Sequence, residues 1–371
     1  MSTPALDSLL KSPFHEAHVA RGARMVEFAG WLLPLSFAGV TEEHAHTRTS
    51  CSAFDVSHMG RLRITGGDSD RFLNYVCTRK LAGADVGRCY YSHVCREDGG
   101  ILDDVIVSRF ESDWCVVCNG SNREKVVGWL NRHAVSFDVS VQDATMATAM
   151  LAIQGPRAIE AAEAITGRQL ANLKRYHCTT YEFMGMRIDL FRSGYTGEDG
   201  LEVVIPANAA MMLMPYVVGG DDAPHPVVRP AGLAARDTLR IEAGMPLYGH
   251  ELSEDVDPLS AGQGWCVDLS QDFVGAEALR ELKQAGLKRR IAGLELEGRR
   301  IARQHYKVHA GGREIGEITS GTLSPTLGKS IAMALVLSEY ADENTKVDVY
   351  LKDKPVAATV VKLPFYKREQ A

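Results

Sequence analysis

Three short segments carry side chains whose types and spacing suit chemistry on a bound ligand. In Gly99-Gly100-Ile101-Leu102-Asp103-Asp104 a glycine turn runs into the apolar Val105-Ile106-Val107, with two carboxylates at the entrance. Neighbouring residues on a strand face opposite sides, so only one of the two can enter a pocket. Desolvation there would raise its pKa and make it a base or an orienting group; the competing reading is an aspartate that caps a turn. Ser193 to Glu202 is a glycine-rich turn between two strands, with Tyr195 and Glu202 at its shoulders. Glycines there let the backbone approach a ligand closely, or simply permit a hairpin. Arg236-Asp237 sits in the amphipathic stretch Arg229 to Gly244, where a solvated ion pair is the plain alternative. His58, in Asp55-Val56-Ser57-His58-Met59-Gly60, lies among small and apolar neighbours, where packing is the favoured role.

Other signals fail on inspection. Leu327-Gly328-Lys329-Ser330 ends like a phosphate loop, but position 323 is Leu where that motif needs glycine, and an apolar strand-like run follows. Glycines 194, 197 and 200 are spaced three apart, which is not a dinucleotide fingerprint. No Gly-x-Ser-x-Gly elbow is present. Cys115-Val116-Val117-Cys118 lies in a strand-like run without a second ligand pair, and His15, His18, His44 and His46 lack partners at ligand spacing. No metal site is expected, and the eight cysteines read as buried or free thiols.

The elements that must position these groups are strands and helices interspersed. Strand character marks Arg61 to Thr65, Ile101 to Phe110, Trp114 to Cys118, Ala149 to Ile153, Arg187 to Arg192 and Leu201 to Ile205. Helical periodicity marks Asp68 to Val76, Arg123 to His133, Pro156 to Thr166 (with Pro156 at its first position), Arg229 to Gly244 and Gly275 to Ala285. Without regular strand–helix alternation the class is α+β, not doubly wound. From about Lys288 the chain is strand-dense and nearly helix-free, which predicts a small barrel or sandwich; Lys283 to Arg290 reads as the linker into it.

At 371 residues the chain can hold two or three domains. Its net charge of −6 gives no general attraction to nucleic acid or anionic membrane. No apolar run approaches the roughly 18 residues of a membrane span. Met1 to Ala20 lacks a signal core and contains Asp7 and Glu16, so it does not read as a targeting segment. The expected location is cytoplasmic for a bacterial chain and the mitochondrial matrix for a eukaryotic one.

The segments together resemble the glycine cleavage T-protein family. The resemblance runs through Gly22 to Trp31, Phe54 to Gly60, Tyr91-Ser92 with Gly99 to Asp104, Gly194 to Gly200, Arg229 to Asp237, Gly316 to Gly321 and Ser324 to Ser330, in the family's order. It implies a three-domain cloverleaf of mainly antiparallel sheets with flanking helices, a C-terminal barrel or jelly-roll-like domain and a central folate channel. The implied division is 1–52 with 140–275, 53–139, and 288–371. It also implies an aminomethyl transfer from the dihydrolipoyl arm of an H protein to tetrahydrofolate, which serves as substrate, with no metal. By matching motifs, Asp104 is the catalytic aspartate, and Tyr91, Asn119, Tyr195, Glu202, Arg236 and Met59 bind folate. A pterin ring NH beside an amino group suits a carboxylate such as Glu202, and Tyr195 offers a stacking face. Family members often carry a bulkier residue near Met245.

Two alternatives resemble the same fold. Folate domains of flavin-bearing oxidases would need a flavin domain, which is absent here, and related demethylases alter the Tyr195 to Gly200 turn, which is intact. Non-catalytic folate-binding iron–sulfur assembly proteins bear Lys-Gly-Cys-Tyr-x-Gly-Gln-Glu; Gly87-Arg88-Cys89-Tyr90 lacks its downstream part. Lys288, Arg289 and Arg290 could form a basic patch for the H protein, although a solvated linker is the favoured reading.

Overall fold

A computed structural model describes residues 8–212 and 227–368. The fold is α+β and mainly antiparallel, with parallel pairings of Leu10–Lys11 on Trp31–Ser36 and of Val228–Pro230 on Cys51–Asp55. A six-stranded sheet takes the order Cys178–Phe183, Met186–Phe191, Gly200–Pro206, Thr148–Gln154, Cys51–Asp55, Val228–Pro230. A five-stranded sheet runs Cys89–Cys95, Ile101–Arg109, Trp114–Cys118, Gly60–Thr65, Ser140–Asp143. By contacts the chain divides into two compact units. The first draws on Met1–Ser69, Gly83–Tyr90 and Ile106–Asp237, the second on Asp70–Ala82, Tyr91–Val105 and Thr238–Ala371.

The C-terminal region is a closed barrel, not a sandwich. Its strands, in order around it, are Arg289–Leu296, Ser330–Leu337, Arg313–Leu323, Lys307–Ala310, Lys346–Leu351 and Lys354–Val361, the last pairing back onto the first. Bulges at Val308/His309 and Ile318/Ser320 add the local bend that closure needs. Inward-facing Leu294, Val308, Ile318, Ala334, Val349 and Val360 fill the interior. The phosphate-loop look-alike is a structural turn within this unit. Buried Glu242 accepts hydrogen bonds from Ser324 Oγ, from Thr326 N at 3.0 Å and from Thr326 Oγ1 at 2.8 Å.

Two local expectations are corrected. Lys283 to Arg290 is not a linker: helix Ala276–Ala285 reaches into it and strand Arg289–Leu296 begins within it. Arg290 Nη2 is spent on Ser338 O and Asp342 Oδ1, both at 2.8 Å, so that arginine is a barrel fastening. The helix after Gly155-Pro156 starts at Ala158, with Pro156 in the turn before it. Gly155, at φ +137 and with Ser50 O only 2.3 Å from any added Cβ, holds that turn outside helical geometry.

Candidate functional site

In the second unit, the Gly99-Gly100 turn is fixed by close backbone approach. A Cβ on Gly100 would fall 2.1 Å from Glu254 O, and Ile101 N donates to Val256 O at 3.0 Å. Strand Ile101–Arg109 then separates the two carboxylates as alternation requires. The desolvated one is Asp103, with no exposed surface, whereas Asp104 is half-buried. The inward, desolvated carboxylate is the one expected to line a pocket; the strand turns Asp103 into the protein interior and leaves Asp104 partly accessible. Tyr91 Oη donates to Asp104 Oδ2 at 3.0 Å.

The Tyr91 ring is itself held on two sides. Trp265 stacks on it, centroids 5.5 Å apart and planes 18° apart, and His93 meets it edge-on at 5.3 Å. His93 is fully buried, and burial pushes its pKa down to about 3, so the imidazole is neutral. Cys266 Sγ lies 3.5 Å from His93 Nδ1, but burial drives that thiol up to about 12. A thiol held protonated is no nucleophile, so this Cys–His pair is packing. Beside the glycine turn an open groove of about 610 Å³ is lined by Asp98, Glu254, Asp255, Asp257 and Glu281 with Leu279.

In the first unit, the glycine-rich turn is clamped by buried Gln154. Its Nε2 donates to Ser193 O at 3.1 Å, and Thr196 Oγ1 donates to its Oε1 at 3.1 Å. Added Cβ atoms on Gly194 and Gly200 would lie 1.8 Å and 2.3 Å from that amide, so a side chain at either would push the Gln154 clamp aside. The turn delivers Tyr195 under Arg236, whose guanidinium carbon is 4.8 Å from the ring centroid. One face of Tyr195 is therefore taken by a cation instead of being wholly free for stacking. Burial lowers the Arg236 pKa, opposed by the charge of Glu202 and by Tyr195; its Nη1 is buried without a hydrogen-bond partner. Glu202 accepts from Ser193 Oγ, which leaves carboxylate capacity for a second donor.

The Asp55 to Gly60 segment adds His58 and Met59. His58 is buried, packed edge-on by Phe28 at 5.4 Å, and its pKa is pushed to about 3, first by burial and then by the Arg236 charge. Its Nδ1 is buried without a partner. Met59 is half-buried, and its carbonyl accepts from Arg61. Asn119, half-buried, follows strand Trp114–Cys118, and the next residue, Gly120, presses on the His58 main chain, 2.5 Å from an added Cβ to His58 O.

The structure thus joins Tyr91 to Asp104, and Tyr195 to Arg236 with Glu202 nearby. The groups that hold the Asp55 to Gly60 turn had no signal in the sequence. Asp55 accepts from Ser12 Oγ, from His18 Nε2 at 2.9 Å and from Ser57 N at 3.0 Å. Burial alone would raise the Asp55 pKa, but those hydrogen bonds and the His18 charge bring it below the usual value. Buried Arg61 ties the same turn to Ser57 O at 3.0 Å and Thr148 Oγ1 at 2.8 Å. Among the described residues no cluster of three His, Cys, Asp or Glu could hold a metal, and no helix is long and apolar enough to cross a membrane. All eight cysteines are buried free thiols.

Comparison with known proteins adds the following. The family model for the GCVT N-terminal domain matches residues 14–271, and that for the glycine cleavage T-protein C-terminal barrel domain matches 289–367. The chain is 42% identical to an aminomethyltransferase of Herpetosiphon aurantiacus over 360 residues, covering 96% of this chain and 98% of that protein. It is also 42% identical to an aminomethyltransferase of Rubrobacter xylanophilus over 373 residues, covering 100% and 98%. The crystal structure of glycine cleavage system aminomethyltransferase T from Bartonella henselae superposes with a TM-score of 0.89 at 34% identity, covering 97% of this chain and 99% of that one.

Proposed function

This chain belongs to the glycine cleavage T-protein family, and from that premise we infer that it is the aminomethyltransferase of the glycine cleavage system. The one-carbon donor is the S-aminomethyl group on the dihydrolipoyl arm of an H protein, and the acceptor is tetrahydrofolate. The carbon–sulfur and carbon–nitrogen bonds of the donor break, and the methylene comes to bridge N5 and N10. The two protons leaving those nitrogens go to the arm's sulfur and to ammonia. Products are 5,10-methylenetetrahydrofolate, ammonia and the dihydrolipoyl H protein.

The observation that carries the residue assignment is the Tyr91 Oη–Asp104 Oδ2 hydrogen bond of 3.0 Å, which aims a half-open carboxylate with one oxygen already bonded. Asp104 would orient N10 and take up its proton as the bridge closes, a role typically worth about 10²–10⁴-fold. Tyr91 would hold Asp104 in place. Glu202 suits the pterin's ring NH and amino group, which form a matching donor pair. The unpartnered Nη1 of Arg236 and the neutral Nδ1 of His58 are a buried donor and a buried acceptor of the kind a polar ligand satisfies. Tyr195 would contribute its remaining face, and Met59 and Asn119 would add further contacts to the folate.

The test is direct. Purified protein is incubated with aminomethylated H protein and tetrahydrofolate, and ammonia is measured. Stoichiometric release in a single turnover supports the reading. Folate binding with no ammonia would leave a folate-binding protein without this activity.

A further inference from the structure

The most exposed of the four tryptophans is held in place by its neighbours. Trp265 is 61% exposed, whereas Trp31, Trp114 and Trp129 are 4%, 3% and 7% exposed. A large apolar side chain in water is ordinarily free to move, and nothing is lost by replacing it. Trp265 is anchored from several directions within its own unit. Its Nε1 donates to Gln263 Oε1 at 3.0 Å, and its carbonyl accepts from Arg79 Nη1 at 2.8 Å. The next residue, Cys266, is fully buried, and its carbonyl accepts from Thr78 Oγ1 at 3.1 Å. The short turn Gly264–Cys266 therefore presents an indole of set orientation.

One side of that indole lies on Tyr91, and Tyr91 bonds Asp104. Ring stacking fixes the plane of a phenol whose second torsion is otherwise soft, and with it the direction of the hydroxyl. The rest of the indole is open to solvent. Ligand groups that satisfy buried donors and acceptors have their counterparts at Arg236, Glu202 and His58; an exposed aromatic face offers no such counterpart. It suits a chain that arrives from solvent, is aliphatic along its length and carries a primary ammonium at its tip. An aliphatic stem packs on the ring and the cation is drawn to its negative face.

Resting on the function proposed above, we propose that Trp265 is a two-sided platform. One face positions Tyr91 for Asp104, and the open face receives the carrier's S-aminomethyl arm.

Because Trp265 is the accessible indole, acrylamide quenching of intrinsic fluorescence reads it selectively. Trp265→Phe and Trp265→Ala are compared with the unaltered protein in single-turnover ammonia release, with circular dichroism as the check on folding. The expected result for Trp265→Ala is a carrier concentration for half-maximal rate about tenfold higher. The limiting rate falls less, and tetrahydrofolate affinity stays within about twofold, since the predicted loss is of one cation–aromatic contact. Trp265→Phe, which keeps an aromatic face, recovers most of the loss. Aminomethylated carrier, but not tetrahydrofolate alone, shields the quenchable emission, and in Trp265→Phe that component is gone.

An unchanged carrier dependence in a folded Trp265→Ala protein would overturn the proposal, as would shielding by tetrahydrofolate alone. Absence of ammonia from the unaltered protein is a separate failure, that of the aminomethyltransferase reading, and takes this proposal with it.

Discussion

The Arg236–Tyr195–Glu202 group and the Tyr91–Asp104–Trp265 group are held in different electrostatic settings. In the first, a guanidinium lies over a ring with one donor buried and unpartnered, and a neighbouring imidazole is kept neutral by burial and by that same charge. In the second, a half-buried carboxylate takes a phenol hydroxyl, and the phenol leans on an indole left mostly in water. On the function proposed above, the contrast matches two tasks. Reading a polar heterocycle works best where water does not compete for the same donors and acceptors. Moving a proton and admitting a tethered group need a carboxylate that a ligand can reach.

The largest effect that could break this contrast concerns the paired aspartates. Asp104→Asn is expected to lower the single-turnover rate by roughly 10²–10⁴-fold with folate affinity largely kept. Asp103→Asn is expected to cost far less in rate, and its effect should appear in the urea midpoint, because that side chain is fully buried. Equal rate losses in the two would mean the strand does not sort the carboxylates by role.

A smaller effect is expected from the reading group. Arg236→Met removes the buried donor and its charge, and should weaken tetrahydrofolate binding by roughly 10–100-fold, as for a hydrogen bond to a charged group. The rate at saturating folate should change much less. Calorimetric titration with folate separates the two. A fall in limiting rate without a fall in affinity would move Arg236 into the reacting group.

The smallest effect is on stability against pH. His58 and His93 have folded pKa values near 3, below the 6.5 of the unfolded chain. As pH drops below about 6.5 the unfolded chain takes up protons that the folded one refuses, so stability declines from there down towards pH 3. Urea unfolding across that window should show the slope reduced by about one proton in His93→Gln. An unchanged slope would mean that His93 is not held neutral in the fold.

Much of this was legible in the sequence. Trp114–Cys118 is a strand with the bounds its composition marks. The closed C-terminal barrel follows a stretch that reads as strand-dense and helix-free. The long strand Arg313–Leu323 was less visible, because its Gly, Ser and Thr residues blur the apolar alternation and its bulge shifts the phase. Lys283 to Arg290 reads as a linker because charge suggests solvent, yet a barrel strand has one face in water and accepts arginine there.

What the sequence determined by itself was local: where glycine must turn the chain, that Asp103 and Asp104 face apart, and which side chains match a folate enzyme's motifs. Tertiary structure decided which aspartate is buried, that Arg236 covers Tyr195, and that Trp265 holds Tyr91. It also decided that Ser12 and His18 share Asp55. Backbone periodicity acts over a few residues and is written in residue order. Burial, charge pairing and ring stacking join residues far apart in sequence, 174 positions for Tyr91 and Trp265, and exist only once the chain has closed on itself.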